Sequence, residues 1–142
     1  MLEHITPLES IEKEAIQINE YLEITCGDDV NEITERGNNL AVYISRTGKL
    51  LADAKYWKDI KLKNSIFQTV RDTGKMAGLS ITTVNKLIES NCETENYIVN
   101  WIERLNRTAT HQLDWLRTLI SKAKEEMRTS SGISGRPSNG GY

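Results

Sequence analysis

The stretch that decides the fold is ENYIVNWIERLNRTATHQLDWLRTLISKAKEEMR, residues 95–128. It contains no glycine and no proline, and its apolar residues recur at intervals of three and four positions. Because that period is typical of a helix with one buried face, the sequence predicts a long amphipathic helix over about 95–128. Its apolar face consists of Ile98, Trp101, Ile102, Leu105, Ala109, Leu113, Leu116, Leu119, Ile120, Ala123 and Met127.

A second long helix is predicted over about 30–70, after the start signal Asp29-Val30-Asn31-Glu32. Gly37 and Gly48 each lower its helix propensity by roughly 1 kcal/mol relative to alanine. An interruption of the helix near Gly37 is therefore an alternative interpretation. Unbroken, this helix spans about 60 Å, whereas a compact globule of this chain length is about 29 Å across. We therefore expect an elongated molecule. The buried seam is predicted at Ile33, Leu40, Tyr43, Thr47, Leu50, Ala54 and Trp57, widened by Val42, Ile44, Leu51, Leu62, Ile66 and Phe67.

Two shorter helices complete the fold prediction. Thr6-Pro7-Leu8-Glu9 matches a capping box and begins a helix over about 7–25, which Gly27 is expected to end in the left-handed conformation. Ser80 is the candidate N-cap of a short helix over about 81–91. The expected fold class is all-α: an elongated antiparallel helical hairpin or bundle of three to four helices with coiled-coil-like packing. It forms one domain over 1–128, followed by a Ser/Gly-rich tail over 129–142 that is expected to be disordered.

Composition and motifs exclude several classes of protein. Two prolines and 9 glycines in 142 residues are too few turn residues for an all-β sandwich or barrel. The longest apolar run, residues 40–44, is too short for a membrane span. The first residues carry no secretory signal, so we expect a cytoplasmic protein, that of the bacterial host if a phage encodes it.

The chain also lacks the motifs of familiar enzymes and metal sites. It has no nucleophile elbow, dinucleotide-binding glycine motif, phosphate-binding loop or zinc-protease motif. Cys26 and Cys92 stand alone, and only His4 and His111 are available as imidazole ligands. We therefore expect no enzymatic activity, no cofactor, no metal site and no disulfide.

Charge is distributed very unevenly along the chain. Residues 1–35 carry ten acidic residues and one lysine, a net charge of −9, whereas residues 36–88 carry ten bases and three aspartates, a net charge of +7. In one interpretation the acidic first helix packs against the basic second helix, in the same chain or in a neighbouring subunit. In the other, the basic segment is a surface for phosphates.

The basic run from Arg46 to Lys63 carries Tyr56 and Trp57 at its centre. Lysines beside aromatic rings are typical of proteins that bind single-stranded DNA, in which the charges contact phosphates and the rings stack on bases. Trp57 also falls on the seam and is expected in the core, so Tyr56 is the better stacking candidate. Arg104 and Arg107 lie at helical spacing with His111 and offer a second polar face. The predicted nucleic-acid contacts are Lys49, Lys55, Tyr56, Lys58, Lys61, Lys63, Arg104 and Arg107.

Gln112 places a polar side chain on the seam of the last helix. A polar layer of this kind lowers stability but fixes the register or the number of associating helices. It indicates either a specific pairing within the chain or a specific homo-oligomer. The predicted oligomerisation residues are Leu105, Ala109, Gln112, Leu116 and Leu119.

The segment Ala77-Gly78-Leu79-Ser80-Ile81-Thr82-Thr83-Val84 resembles the turn and recognition-helix start of helix-turn-helix repressors. Such a turn would present the following helix to the major groove of DNA. The alternative interpretation is a capped connector between two helices.

Two stretches, residues 47–56 (TGKLLADAKY) and residues 99–127 with WIERLNRTATHQLDWLR, resemble small uncharacterised helical proteins of tailed bacteriophages of gut bacteria. In size, in its lysine-bearing central helix and in its C-terminal helix, the chain is also loosely similar to the T4-type phage recombination mediator family. That resemblance implies an oligomeric helical protein that binds single-stranded DNA and helps to load a recombinase.

The expected function is therefore that of a non-enzymatic phage protein that binds single-stranded DNA or a DNA–protein complex during replication or recombination. Expected partners are further copies of the chain, single-stranded DNA and a recombinase or replication protein, with no membrane. Two alternatives stay open: a structural or virion-associated assembly protein, and a small helix-turn-helix-like DNA-binding regulator.

Overall fold

The computed structural model describes residues 2–72 and 78–134. Within them the chain forms four α-helices, α1 (Leu8–Leu22), α2 (Val30–Asp72), α3 (Ile81–Ser90) and α4 (Glu93–Ser134), preceded by a 3-10 turn at Leu2–His4. No strand occurs among these residues, which confirms the all-α prediction. None of these helices combines the length and the apolar character needed to cross a membrane.

The two long helices are longer than predicted. α2 passes through Gly37 and Gly48 without a break, and a side chain added at Gly37 would only reach ordinary contact, 3.7 Å, with Leu113 Cδ1 of α4. α4 continues to Ser134, so the first six residues of the tail predicted to be disordered are helical. Residues 135–142 of that tail lie outside the described residues.

Two predicted end signals of α1 are wrong. Pro7 rather than Thr6 precedes the helix, no side chain caps it, and the Thr6 N–H instead donates to Asp53 Oδ2 of α2 at 3.0 Å. The helix ends at Leu22, five residues before Gly27, and Gly27 does not adopt a positive φ. The Thr6 N–H, which in a capping box would donate to the Glu9 side chain, is thus bonded to a residue of another helix instead. The Ser80 cap of α3 is confirmed, since Ser80 Oγ accepts from the Thr83 N–H at 3.2 Å.

α2 and α4 pack antiparallel as a hairpin, because contacts at Arg36–Gln112, Thr47–Asn106 and Ser65–Asn91 run in opposite chain directions. α1 lies against both helices and buries Ile11, Ala15, Ile18 and Leu22. The seam predicted for α2 is buried at Ile33, Leu40, Thr47, Leu50 and Ala54, with Tyr43 and Trp57 partly buried.

The distal end of α2 departs from the predicted seam. Ile66 and Phe67 are exposed, as is Val42 nearer its start. α3 lies against this end of α2, yet none of its side chains is buried. Ser65, in the same stretch, is buried, so one face of α2 is still covered here and the exposed apolar residues lie on its other faces.

The predicted oligomerisation residues contact other helices of the same chain. Leu105, Ala109 and Leu116 are buried between α4 and its neighbours, and Leu119 is partly buried against the same core. Gln112 is half-buried and bonded to α1 and α2. The heptad seam is therefore filled by α2 and α1 of the same chain, and a second copy would have to use other surfaces.

Two polar contacts fix the register of the hairpin. Asn106 Nδ2 donates to Thr47 Oγ1 at 2.9 Å and to the Ile44 carbonyl at 3.1 Å. One layer further along, Gln112 Oε1 accepts from Arg36 Nη2 at 2.9 Å while Gln112 Nε2 donates to the Leu22 carbonyl at 2.9 Å. The second contact joins α1, α2 and α4 at a single point, in agreement with the predicted polar layer.

Replacing Gln112 with methionine should lower the free energy of unfolding by about 1–3 kcal/mol, because the Leu22 carbonyl and the Arg36 guanidinium lose their partner while the apolar volume is kept. Urea unfolding followed by circular dichroism measures this change. The neighbouring His111→Ala is the matched control, since His111 is exposed, and its effect should stay within about 0.5 kcal/mol. Equal stability of the two variants would contradict a structural role for Gln112.

Candidate nucleic-acid interface

The ammonium group of Lys49, the first of the predicted phosphate contacts, is paired with other groups of the same chain. Its ammonium nitrogen lies 2.5 Å and 2.7 Å from the two carboxylate oxygens of Asp53, and it donates to the His4 carbonyl at 2.7 Å. The charge of Lys49 is thus paired with Asp53 although its side chain is 43 % exposed, and the DNA contact stays a prediction. The side chain fastens the N-terminal segment to α2.

Pairing between the acidic first helix and the basic second helix is limited to one site. Among the described residues, Arg46 with Glu14 is the ion pair that joins α1 to α2, and it is bidentate. Hydrogen bonding to Glu14 raises the pKa of the Arg46 guanidinium. Most of the positive charge of α2 is thus left without a carboxylate from α1.

Lys55, Lys58, Lys61 and Lys63 have no ion-pair partner in the described part of the chain. Three of them are exposed and Lys58 is half-buried. At about 100° per residue, Lys55, Lys58 and Lys61 form a strip that turns by about 60° at each step, whereas Lys63 projects about 160° away from Lys61. These lysines therefore surround the distal half of α2 rather than line one face.

Tyr56 offers less ring surface than its sequence position suggests. It is half-buried, and its ring lies edge-on to Trp57 with the centroids 5.3 Å apart. Trp57 is itself partly buried, and its Nε1 donates to the Thr6 carbonyl at 2.8 Å. The expectation that Trp57 belongs to the core is confirmed, and one edge of Tyr56 is used to cover it.

Arg104 and Arg107 lie away from the lysines. They flank Asn106, which contacts Thr47, and Thr47 precedes Lys58 by eleven residues, or about 16 Å along α2. Both arginines are exposed, and Arg107 reaches Glu103 of its own helix at 3.4 Å. The structure therefore does not bring the two predicted basic groups into one site.

Sequence reasoning missed the feature that the structure brings forward, the exposed ring of Phe67. The side chain is 57 % exposed, although the apolar period had placed it in the core. Lys63 precedes it by four residues and Arg71 follows it by four, so the three side chains lie along one face of α2. Neither cation has an ion-pair partner among the described residues. The i, i+4, i+8 spacing of base, ring and base was the signal available in the sequence.

Asn64 and Gln68 lie beside Phe67 and Arg71 in a shallow surface groove of about 550 Å³, which Asp72 also lines. Amide side chains can donate to and accept from base edges, and an exposed ring can stack on a base. We call the set Lys55, Lys58, Lys61, Lys63, Phe67 and Arg71 the distal basic surface.

The helix-turn-helix-like segment has a local turn but no packed recognition helix. Gly78 adopts φ +124° and Ser80 caps α3, as a tight turn requires, while Ala77 lies outside the described residues. A recognition helix is held in the major groove by the domain that it packs against. No side chain of α3 is buried, so the described contacts supply little of that support.

Residues with catalytic or metal-binding potential do not converge in the described part of the chain. His111 and Asp114 are exposed on α4, and Asp114 pairs with Arg117 at 3.3 Å. Cys26 is half-buried and Cys92 is buried, and both are free thiols. No group of three or more metal-ligating side chains occurs within residues 2–72 and 78–134.

Asp53 is the anchor of the N-terminal segment. Its side chain is only 6 % exposed. Burial works to raise the pKa of this carboxyl, but hydrogen bonds from Lys49 and from Thr6 outweigh burial, so the pKa lies below its ordinary value. Since the folded-state pKa is lower than that of the unfolded chain, the carboxylate stabilises the fold above the unfolded value of about 3.9, and this contribution is lost as the pH falls through the folded-state pKa.

Asp53→Asn should therefore lower the free energy of unfolding at about pH 7 by roughly 1.5–3 kcal/mol, the range for a hydrogen bond to a charged group. The difference from the unmodified protein should shrink as the pH falls through the folded-state pKa of Asp53, because the carboxyl group then becomes uncharged. Urea unfolding at about pH 7 and at successively lower pH measures this difference in stability. Asp114→Asn, at an exposed ion pair, is the control and should change stability by less than about 1 kcal/mol. A difference that persists in acid would contradict the role of the charge.

The helical hairpin and its basic end were compared with known proteins. No family model, no curated protein and no solved structure matches the chain. The case for a function therefore rests on the side chains described above.

Proposed function

We propose that this chain is a non-enzymatic helical protein that binds single-stranded DNA through the distal basic surface. The observation that carries the proposal is the exposed ring of Phe67 between Lys63 and Arg71 on one face of α2. Lys55, Lys58 and Lys61, which also lack carboxylate partners among the described residues, lie on other sides of the same part of the helix. Cations contact the phosphate backbone, and the ring stacks on a base.

A single strand suits this surface better than a duplex. The bases of a duplex are stacked on one another, whereas a single strand offers their faces to an exposed ring. The net charge of the whole chain is −2, so binding depends on a local concentration of positive charge rather than on a basic protein as a whole.

The resemblance to phage proteins supplies the proposed setting. The chain acts in phage replication or recombination in the cytoplasm of a bacterial host, together with a recombinase or a replication protein. Self-association uses surfaces other than the filled seam. The C-terminal part of α4 is one such surface, because the described side chains from residue 121 to residue 131 are exposed except for Ala123.

A second candidate function is that of a structural or virion-associated assembly protein. The observation that favours it is the set of large apolar side chains left exposed on α4, namely Tyr97, Trp115 and Met127. Exposed apolar groups of this size occur at protein–protein contacts. A regular assembly seen by electron microscopy in protein that does not bind DNA would favour this function.

Replacing Lys58, Lys61 and Lys63 together with glutamine should weaken binding to a labelled single-stranded oligonucleotide. Each lost phosphate contact lowers the slope of log affinity against log salt by about 0.7, so the triple variant should lose about 2 units of slope. Fluorescence anisotropy at two salt concentrations measures both quantities.

The matched control replaces Lys122, Lys124 and Arg128 on the exposed end of α4, which removes the same charge at another place. It should leave the affinity for the oligonucleotide nearly unchanged. The proposal fails if the unmodified protein does not bind the oligonucleotide at micromolar concentration, or if both triple variants weaken binding equally.

Phe67→Ala should remove the stacking contribution, which is about 1–3 kcal/mol per base, or about 5- to 150-fold in affinity. Because Phe67 is exposed, the helical content should not change. Val42→Ala is the control, since Val42 is 66 % exposed on the same helix but far from the distal basic surface. Anisotropy titration of the two variants tests this point, and equal affinities would show that the ring does not contact DNA.

A further inference from the structure

A cavity of about 370 Å³ lies at the opposite end of α2 from the distal basic surface. It opens where α1 ends, and its wall is formed by the segment after α1 together with α2 and α4. The residues that matter for its chemistry are Arg36, Leu40, Trp115, Leu116 and Leu119. A volume of this size is in the range of small-molecule sites.

The charged group in this cavity is a buried arginine without an acidic partner. Arg36 is 8 % exposed, and no carboxylate lies within ion-pair distance of it among the described residues. Its Nη2 donates to the Tyr21 carbonyl at 3.1 Å and to Gln112 Oε1 at 2.9 Å, and its guanidinium carbon lies 4.1 Å from the centroid of the Tyr21 ring. A buried positive charge that is held only by neutral groups is incompletely compensated.

The other donors of Arg36 are available to a ligand. Nε and Nη1 have no hydrogen-bond partner in the described part of the chain. Every fully buried side-chain nitrogen or oxygen in that part does have one, so these two nitrogens keep contact with open space. The cavity is the space that Arg36 lines. Nε–H and Nη1–H lie on different edges of the guanidinium, so each can donate a single charge-assisted hydrogen bond to a carboxylate oxygen.

The rest of the wall is apolar. Leu40 and Leu116 are buried beside the arginine, Leu119 is partly buried, and Trp115 is 62 % exposed at the edge. An exposed indole next to an unfilled cavity can close over a bound apolar group. The cavity therefore offers a positively charged hydrogen-bond donor and apolar surface around it.

Two acidic residues at the mouth oppose an anion only weakly. Glu23 and Asp28 line the opening, both are exposed, and Glu23 accepts from Asn19 Nδ2 at 3.0 Å, which turns it back along α1. Exposed charges act through water of high dielectric constant and are screened by salt, whereas a buried guanidinium acts at short range with little screening. For a ligand whose carboxylate contacts Arg36, the attraction to the guanidinium therefore outweighs the repulsion from Glu23 and Asp28.

We infer that this cavity is a binding site for a small organic carboxylate with an apolar body, whose carboxylate pairs with Arg36 and whose apolar part lies against Leu116, Leu119 and Trp115. The site is independent of the proposed DNA-binding function. It lies about 28 Å or more along α2 from the first residue of the distal basic surface, since nineteen residues separate Arg36 from Lys55.

The test is a calorimetric titration of the full chain with hexanoate, octanoate and indole-3-acetate, and with indole-3-acetamide as the neutral isostere. At least one carboxylate should bind saturably, and indole-3-acetate should bind about tenfold or more tightly than the amide, since a charged hydrogen bond is roughly twice as strong as a neutral one. The inference is overturned if none of the carboxylates saturates the protein up to about 10 mM, or if acid and amide bind equally.

Variants separate the site from general effects on the fold. Trp115→Ala should weaken carboxylate binding about fivefold or more while the helical content stays unchanged, because Trp115 is exposed. Arg36→Lys keeps the charge but changes the position and direction of the donors, so it should also weaken binding. Arg104→Gln, on the exposed surface of α4, should bind as the unmodified protein does. Unchanged binding in both Trp115→Ala and Arg36→Lys overturns the inference.

Cys26 gives an independent readout, because it lines the cavity and is half-buried whereas Cys92 is buried elsewhere. Bound indole-3-acetate should slow alkylation of Cys26 by iodoacetamide, and indole-3-acetamide should not. Triple substitution of Lys58, Lys61 and Lys63 should leave this protection intact, so failure of DNA binding and failure of carboxylate binding are distinguishable. Equal alkylation rates with and without a saturating carboxylate would place the ligand outside the cavity.

Discussion

The hydrogen bonds that hold the end of α1 set the geometry of the rest of the structure. The carbonyls of Tyr21 and Leu22 lie in the last turn of α1, and Arg36 donates to the first and Gln112 to the second. The Tyr21 carbonyl also accepts from the Ile24 N–H at 3.1 Å. The same two side chains also bond to each other. This one contact places α1 across the hairpin, fixes which residues of α2 and α4 face one another, and buries a cation at the position where the cavity opens. A guanidinium at a helix C-terminus is favoured by the helix dipole, which helps to explain how it is tolerated there without a carboxylate.

Because α1 covers only the first half of the hairpin, the two ends of the molecule differ. Near Arg36 three helices meet and the apolar side chains are buried, whereas beyond Trp57 α2 is accompanied by α4 and by an α3 without buried side chains. One face of α2 is still covered in this region, since Ser65 is 5 % exposed. Phe67 is exposed because, two residues later, it projects about 200° away from that face. Its neighbours Lys63 and Arg71 are free to contact an anion because the carboxylates of α1 lie elsewhere.

Individual residues show where sequence reasoning succeeds and fails. Ser80 caps α3 as predicted, because an N-cap depends only on residues three positions apart. The capping box at Thr6 fails because the Thr6 N–H donates to Asp53, 47 positions away, and the same carboxylate pairs with Lys49. The heptad at Leu105, Ala109, Gln112, Leu116 and Leu119 was correctly identified as a buried seam. The helices that pack on this seam were not identified from the sequence. A heptad pattern indicates that one face of a helix packs against another helix, but not whether that helix belongs to the same chain.

The amino-acid sequence by itself determined that the chain is helical, that two long amphipathic helices dominate it, where those helices begin and end to within a few residues except at the C-terminus, and that positive charge is concentrated in the second helix. These are local properties, set by the spacing of apolar side chains and by residues a few positions apart. Only the tertiary structure decided which charges are neutralised, that Phe67 lies outside the core, and that a cavity forms beside Arg36. Each of these depends on which faces of the helices pack against one another, and that packing is fixed by contacts between residues that are remote in the sequence.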